Sequence, residues 1–156
     1  VLGTDGTGAH TLFARRPLND IPFVTQDDPQ SIDHFPDVGR PGVLYMDGRE
    51  VYKFAVGAMS HALRAACDKF GITPADLDLI IPHQANLRII QSAAKELGLP
   101  LERFYVNIDR YGNTSSACIP VALAELAEKG ELLPGRKVGM VGFGAGLVYG
   151  GCVFTL

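Results

Sequence analysis

Two short stretches of this chain carry residues whose types and spacing could act on a carbonyl group. One is Ile81-Pro82-His83-Gln84-Ala85-Asn86-Leu87-Arg88-Ile89, and the other is Tyr111-Gly112-Asn113-Thr114-Ser115-Ser116-Ala117. Each reads as an apolar strand that ends in a polar residue and turns into a helix, so His83 and Asn113 are expected to project from neighbouring strand ends into one pocket. The positive end of a helix dipole disfavours imidazolium, so a His at a helix start acts as a neutral hydrogen-bond donor and not as a strong acid. An Asn amide is a second neutral donor, and two such donors converging on one oxygen stabilise a developing enolate where water is scarce. Simpler roles stay open on residue type alone. His83 could be a strand-end residue satisfied by backbone, and Asn113 a helix cap or left-handed turn residue.

The elements around these residues follow from periodicity and punctuation. Val51, Phe54, Ala55, Ala58, Ala62, Ala65 and Ala66 recur at helical spacing and Gly71 is a natural stop, which predicts a long helix over 49–70 with a small apolar face. Thr73-Pro74-Ala75-Asp76 has the form of a capping box with Pro at the first helical position, predicting a single turn before a strand over 77–81. A helix over 84–97, a strand over 104–108, a helix over 115–129, a strand over 137–142 and a final strand over 147–156 complete the order. Helices alternating with continuous apolar strands predict an α/β fold: a mostly parallel, five-stranded mixed sheet with helices on its faces and an antiparallel last strand. Before the long helix lie a Gly/Thr-rich start, a short strand-like Thr11-Leu12-Phe13-Ala14, and a Pro-rich excursion over 17–41 that holds five of the chain's ten prolines. Proline at that density forbids long regular structure, so this segment is either a binding loop or a solvent-facing insertion.

Composition narrows the classes. The 156 residues are 47% hydrophobic with 18 glycines, enough for one domain, 1–156, with a real core. A net charge of −3 supplies no basic field for nucleic acid. No apolar run in the sequence reaches the about 18 residues of a membrane-spanning helix. Three cysteines, Cys67, Cys118 and Cys152, lack both metal-type CxxC spacing and the even count of a disulfide framework. Cys67 reads as helix core, Cys118 as part of the small face of the helix after Asn113, and Cys152 as last strand. None is expected at a helix N-terminus, where a thiolate nucleophile would be favoured. His10, His34 and His61 fall at no ligand spacing, so no metal is expected. Gly142-Phe143-Gly144-Ala145-Gly146 imitates a dinucleotide loop, but that fingerprint requires a helix to follow, and Leu147-Val148-Tyr149-Gly150 reads as strand.

The PHQANLRII and YGNTSSA strings closely resemble the active-site segments of the 3-ketoacyl-acyl-carrier-protein synthase III family, whose fold is that of thiolase. The resemblance covers nearly the whole chain, corresponds to the C-terminal half of that fold, and is weakest in the Pro-rich segment. It implies that His83 and Asn113 hold the thioester oxygen of a malonyl group during decarboxylation. It places Phe143 against the nucleophile as a shield and the Ala145 amide at an oxyanion hole. The family more often has an aromatic pair after this turn, where this chain has Val148-Tyr149. Met46-Asp47-Gly48-Arg49-Glu50-Val51-Tyr52-Lys53-Phe54 also resembles the family, with Leu44 near the acyl pocket, Gly48 near the cofactor arm and Asn86 beside the pantetheine tunnel. Arg88 and Lys53 would face an acidic carrier protein, although an exposed Arg is as readily an ordinary solvated charge.

The family's nucleophilic Cys lies in the other half of the fold. The chain, which begins with Val, is therefore expected to be a catalytically incomplete piece of an acyltransferase that condenses an acyl-CoA starter with malonyl carrier protein at the start of fatty-acid synthesis. The implied partners are acyl carrier protein, acyl-CoA, the N-terminal half and a second copy in a homodimer, with no cofactor beyond the substrates. The implied location is the cytoplasm, or the plastid stroma in a plant. Two rivals remain: a relative priming polyketide or quinolone-type synthesis, and a non-catalytic half-fold that binds carrier protein.

Overall fold

The structure, a computed structural model, describes residues 1–14 and 44–156. The expected Pro-rich segment over 17–41 lies outside the described residues.

The organising feature is β4 (Leu79–Pro82), in which all four residues are buried. A strand apolar at every position needs cover on both faces, and it has it. Ile80 faces the long helix α1 (Gly48–Phe70) and α2 (Leu87–Leu97), with Met59, Leu63, Ile90 and Ala93 around it. Leu79 and Ile81 face the opposite way, against Ala122 and Leu126 of α4 (Cys118–Glu128). Each such buried aliphatic side chain contributes about 1.5–3 kcal/mol. β5 (Lys137–Gly144) runs parallel to β4, and β6 (Val148–Thr155) returns antiparallel to β5 through the expected Gly-rich turn.

Helix α1 starts where Asp47 accepts the N–H groups of Arg49 and Glu50, both at 3.1 Å, and stops at Gly71 in the left-handed conformation (φ 78°). Its Ala-rich face lets it approach β6 closely. A Cβ added at Gly151 would stand 2.8 Å from the carbonyl oxygen of Ala62. The capping box also forms, with Asp76 accepting from the N–H and hydroxyl of Thr73 at 2.8 and 2.7 Å.

The sheet differs from expectation in two respects. Among the described residues it has four strands in the order β1 (Leu2–Thr4), β6, β5, β4, and only the β4–β5 pair is parallel. β1 was hidden in the Gly/Thr-rich start, because a three-residue strand has no periodicity to read. The expected strand over 104–108 is reduced to one parallel bridge, Ile80 to Phe104. Beyond Tyr105, whose N–H still donates to the Ile80 carbonyl at 2.8 Å, the backbone turns to other partners: the Asn107 N–H donates to the side chain of Gln84, and the chain then coils into the single turn α3 (Ile108–Tyr111). The short strands β2 (Leu12–Ala14) and β3 (Leu44–Met46) pair antiparallel in a separate sheet, as the apolar Leu12-Phe13 run suggests.

Gln84 joins two of these segments. Its side chain is fully buried; Nε2 donates to the carbonyls of Pro82 (3.0 Å) and Tyr105 (2.9 Å), and Oε1 accepts the N–H of Asn107 (3.1 Å). The end of β4 and the arm leading to α3 thus share one amide.

Three stability tests follow from this packing. Gly151→Ala drives a methyl into a backbone carbonyl that cannot yield, and urea unfolding should show a loss of about 1–3 kcal/mol. Gly57→Ala, at an open position within α1, should instead gain about 1 kcal/mol, the helix-propensity difference. Gln84→Leu keeps the volume but strands three buried backbone groups, and should cost about 3 kcal/mol or more; a variant of parental stability would show that this amide holds nothing together.

Candidate active site

His83 is placed by the alternation of β4. Leu79 and Ile81 point toward α4, so the next residue in the series, His83, points the same way just beyond the strand's carboxyl end. Its N–H donates to the Val141 carbonyl at 2.8 Å, carrying the β4–β5 ladder one residue further. Across from it stands Gly142, where a Cβ would lie 3.4 Å from that of His83. The imidazole packs edge-on against the Phe143 ring, with centroids 5.3 Å apart at 74°, and Phe143 in turn meets Phe54 of α1 at 6.5 Å.

Helix α2 begins at Leu87, later than expected, and Asn86 caps it by accepting the Arg88 N–H at 2.8 Å. His83 is therefore not at the start of that helix. Its imidazole is held below the usual histidine pKa by burial itself, which penalises the charged form. The ring is neutral at neutral pH, as expected, for a different reason.

Asn113 is not at a strand end. It follows α3 and precedes a tight 3-10 turn over Ser115–Ala117, and Ser115 takes a positive φ of 54°. The Asn113 carboxamide oxygen accepts the Ser115 N–H at 3.0 Å. With its oxygen engaged, the amide presents Nδ2–H as the group free to donate. The turn role open on residue type is therefore real, and it orients the amide.

Both residues line one cleft of about 930 Å³, together with Phe143, Ala145, Leu44, Gly48 and Asn86. Phe143 lies at the end of β5, Ala145 lies in the β5–β6 turn, and Gly48 begins α1. Seven of the nine residues singled out in the sequence thus meet in one place. Arg88 and Lys53 lie outside it, both exposed; Lys53 pairs with Glu50 at 2.8 Å. The buried face of α2 is Ile89, Ile90, Ala93 and Ala94.

Cys118 corrects the sequence reading. It is the first residue of α4, almost fully buried, and its Sγ is 2.8 Å from His83 Nδ1, at the floor of the cleft. The Gln84 N–H also reaches Sγ, at 3.4 Å. A helix assumed to begin at 115 hid this, because the 3-10 turn moves the α-helical start to 118. Cys67 is core, as expected, and burial with nearby Asp68 and Asp76 pushes its thiol up to about 11. Cys152 lies on β6, exposed. Among the described residues no group of three or more His, Cys, Asp or Glu could hold a metal ion, and no helix is long and apolar enough to cross a membrane.

Comparison with known proteins identifies the family to which this fold belongs. The chain is 45% identical over 150 residues to the β-ketoacyl-ACP synthase III of Symbiobacterium thermophilum, covering 96% of this chain and 43% of that protein. The crystal structure of the Thermus thermophilus β-ketoacyl-ACP synthase III superposes with a TM-score of 0.82 at 47% identity, over 100% of this chain and 44% of that one. The priming β-ketosynthase of the R1128 polyketide pathway superposes with a TM-score of 0.78 at 40% identity, over 100% of this chain and 43% of that one. The chain spans less than half the length of each of these relatives. Residues 67–156 match the family described as 3-oxoacyl-[acyl-carrier-protein] synthase III, C terminal. With its thiolase-like α/β fold, and with more than half its residues matched, the chain belongs to the C-terminal domain family of 3-oxoacyl-ACP synthase III.

Proposed function

We propose that this chain is the decarboxylating half of a β-ketoacyl-ACP synthase III, an acyltransferase that condenses an acyl-CoA starter with malonyl carrier protein to begin fatty-acid synthesis. The observation that carries the reading is the convergence of His83 and Asn113 on one cleft, with the Asn113 oxygen already occupied and its N–H free. In the proposed reaction an acyl group rests on a Cys of the N-terminal half. Malonyl thioester enters, its bond to the carboxylate breaks, carbon dioxide leaves, and the electron pair passes to the α-carbon and thioester oxygen. His83 and Asn113 donate hydrogen bonds to that oxygen, lowering the barrier where charge develops. The α-carbon then attacks the acyl thioester, the Cys thiolate departs, and the 3-ketoacyl product stays on the carrier.

In this reading Phe143 shields the acylated Cys and the Ala145 amide supports the tetrahedral intermediate. Leu44, Gly48 and Asn86 line the acyl and pantetheine path, and the exposed Arg88 and Lys53 face the acidic carrier. No cofactor is needed beyond the substrates, and the working form is a homodimer in the cytoplasm or plastid stroma. The likeness to a priming polyketide ketosynthase favours one second reading, a different starter group with the same dyad; chemistry at His83 and Asn113 would be shared by both.

In the full-length protein, His83→Ala or Asn113→Ala should slow malonyl thioester decarboxylation and condensation about 100-fold, the scale of losing one oxyanion donor, while acyl transfer from CoA survives at least in part. Parental decarboxylation in both variants would remove the carbonyl-activating role. Arg88→Ala should raise KM for malonyl carrier protein, more than for malonyl-CoA, and flatten its salt dependence, because a docking charge acts through screened attraction. An equal loss with both substrates would mean that Arg88 serves the α2 helix and not the carrier.

A further inference from the structure

The two donors of the cleft differ in how their polarity is set. An amide shows which end donates once its oxygen is engaged, as at Asn113. A neutral imidazole is ambiguous: one ring nitrogen carries a proton and the other does not, and the partner of the first decides the state of the second. His83 has such a partner. Nδ1 meets Cys118 Sγ at 2.8 Å, while Nε2 has no hydrogen-bond partner among the described residues and is not enclosed, so it is the nitrogen open to the cleft.

The sulfur has a second neighbour that constrains it. The Gln84 N–H points at Sγ from 3.4 Å, so the sulfur serves there as an acceptor, and the thiol hydrogen is left to be given elsewhere. Cys118 is 3% exposed and has no third hydrogen-bond partner among the described residues. Among those residues, His83 Nδ1 is the one other hydrogen-bond partner of Sγ.

From this we infer that Cys118 is a positioning residue: accepting the Gln84 N–H and donating its S–H to Nδ1, it holds His83 as the Nε2–H tautomer, with a donor facing the substrate oxygen. The assignment deepens the decarboxylation reading and rests on it for the identity of that oxygen, but the tautomer itself does not. The burial that keeps His83 neutral is what gives a tautomer meaning, since an imidazolium would carry both protons. The opposite arrangement, Nδ1–H donated to sulfur, would point a lone pair at the developing oxyanion and repel it. Nothing in this role makes Cys118 a nucleophile, because its sulfur is turned to the imidazole and the Gln84 backbone.

Nitrogen-15 NMR of histidine-labelled full-length protein tests the idea directly at neutral pH. His83 should show Nδ1 with the shift of an unprotonated ring nitrogen and Nε2 with that of a protonated one. Cys118→Ser, whose hydroxyl also accepts and donates, should keep both shifts and hold decarboxylation within about threefold of the parent. Cys118→Ala should move the two shifts toward a tautomer average and cut decarboxylation about tenfold, a partial loss of a catalytic hydrogen bond, with acyl transfer from CoA reduced by less. A protonated Nδ1 in the parent would overturn the inference, and so would a Cys118→Ala variant with parental shifts. Should the Ala variant fail to fold, the parental shifts and the Ser variant decide. Correct shifts in a protein that does not decarboxylate malonyl thioester would instead refute the function and leave the tautomer assignment standing.

Discussion

A single buried amide governs how the cleft is assembled. Gln84 has no contact with solvent, and a primary amide in that position is tolerable only if its polar groups are paired. It meets that demand with the Pro82 and Tyr105 carbonyls and the Asn107 N–H. Those partners lie on the two segments that carry His83 and Asn113, so satisfying one side chain places both loops in a common frame. Its own backbone N–H, turned to Cys118, adds α4 to the same frame.

Glu125 extends the bracing toward Asn113. Its carboxylate accepts from Asn107 Nδ2 at 2.6 Å, from Arg110 at 2.7 Å and from the Tyr105 hydroxyl at 3.2 Å, and the Asn107 bond, foremost among these, keeps its pKa below the usual carboxylate value. Charge-assisted bonds of this kind are shorter and stronger than neutral ones. They fasten α3 to α4 on either side of the Asn113 turn, which explains how an exposed loop residue keeps a defined orientation. A site built on loops gains precision when the loops are anchored in this way to regular elements.

Location follows from the sheet. Ligands of open α/β sheets gather beyond the carboxyl ends of the strands, and here β4 ends beside the turn that joins β5 to β6. Phe143 stands at that corner, between His83 and Phe54 of α1. Gly142 leaves room opposite His83 because it has no Cβ to put there. The cleft is thus a gap left where three elements end, walled by apolar rings that make its few donors count for more by excluding water.

The sequence by itself determined what depends on neighbours along the chain. Helix α1 with its caps, the Thr73–Asp76 box, the Gly-rich turn followed by a strand, and the α/β character all arise from local propensity and periodicity. The meeting of His83, Asn113 and Phe143 was legible because short motifs with a known resemblance carried it. Pairing with remote partners was not legible. β1 exists because β6 offers it an edge; the segment after Tyr105 leaves the sheet, and Gln84 takes the Asn107 N–H; Asn113 reaches the cleft from a helical turn and not from a strand end. Cys118 touches an imidazole 35 residues away, and no spacing announces that contact. Such choices are made between groups that become neighbours only when the core closes, so the tertiary structure alone decides them.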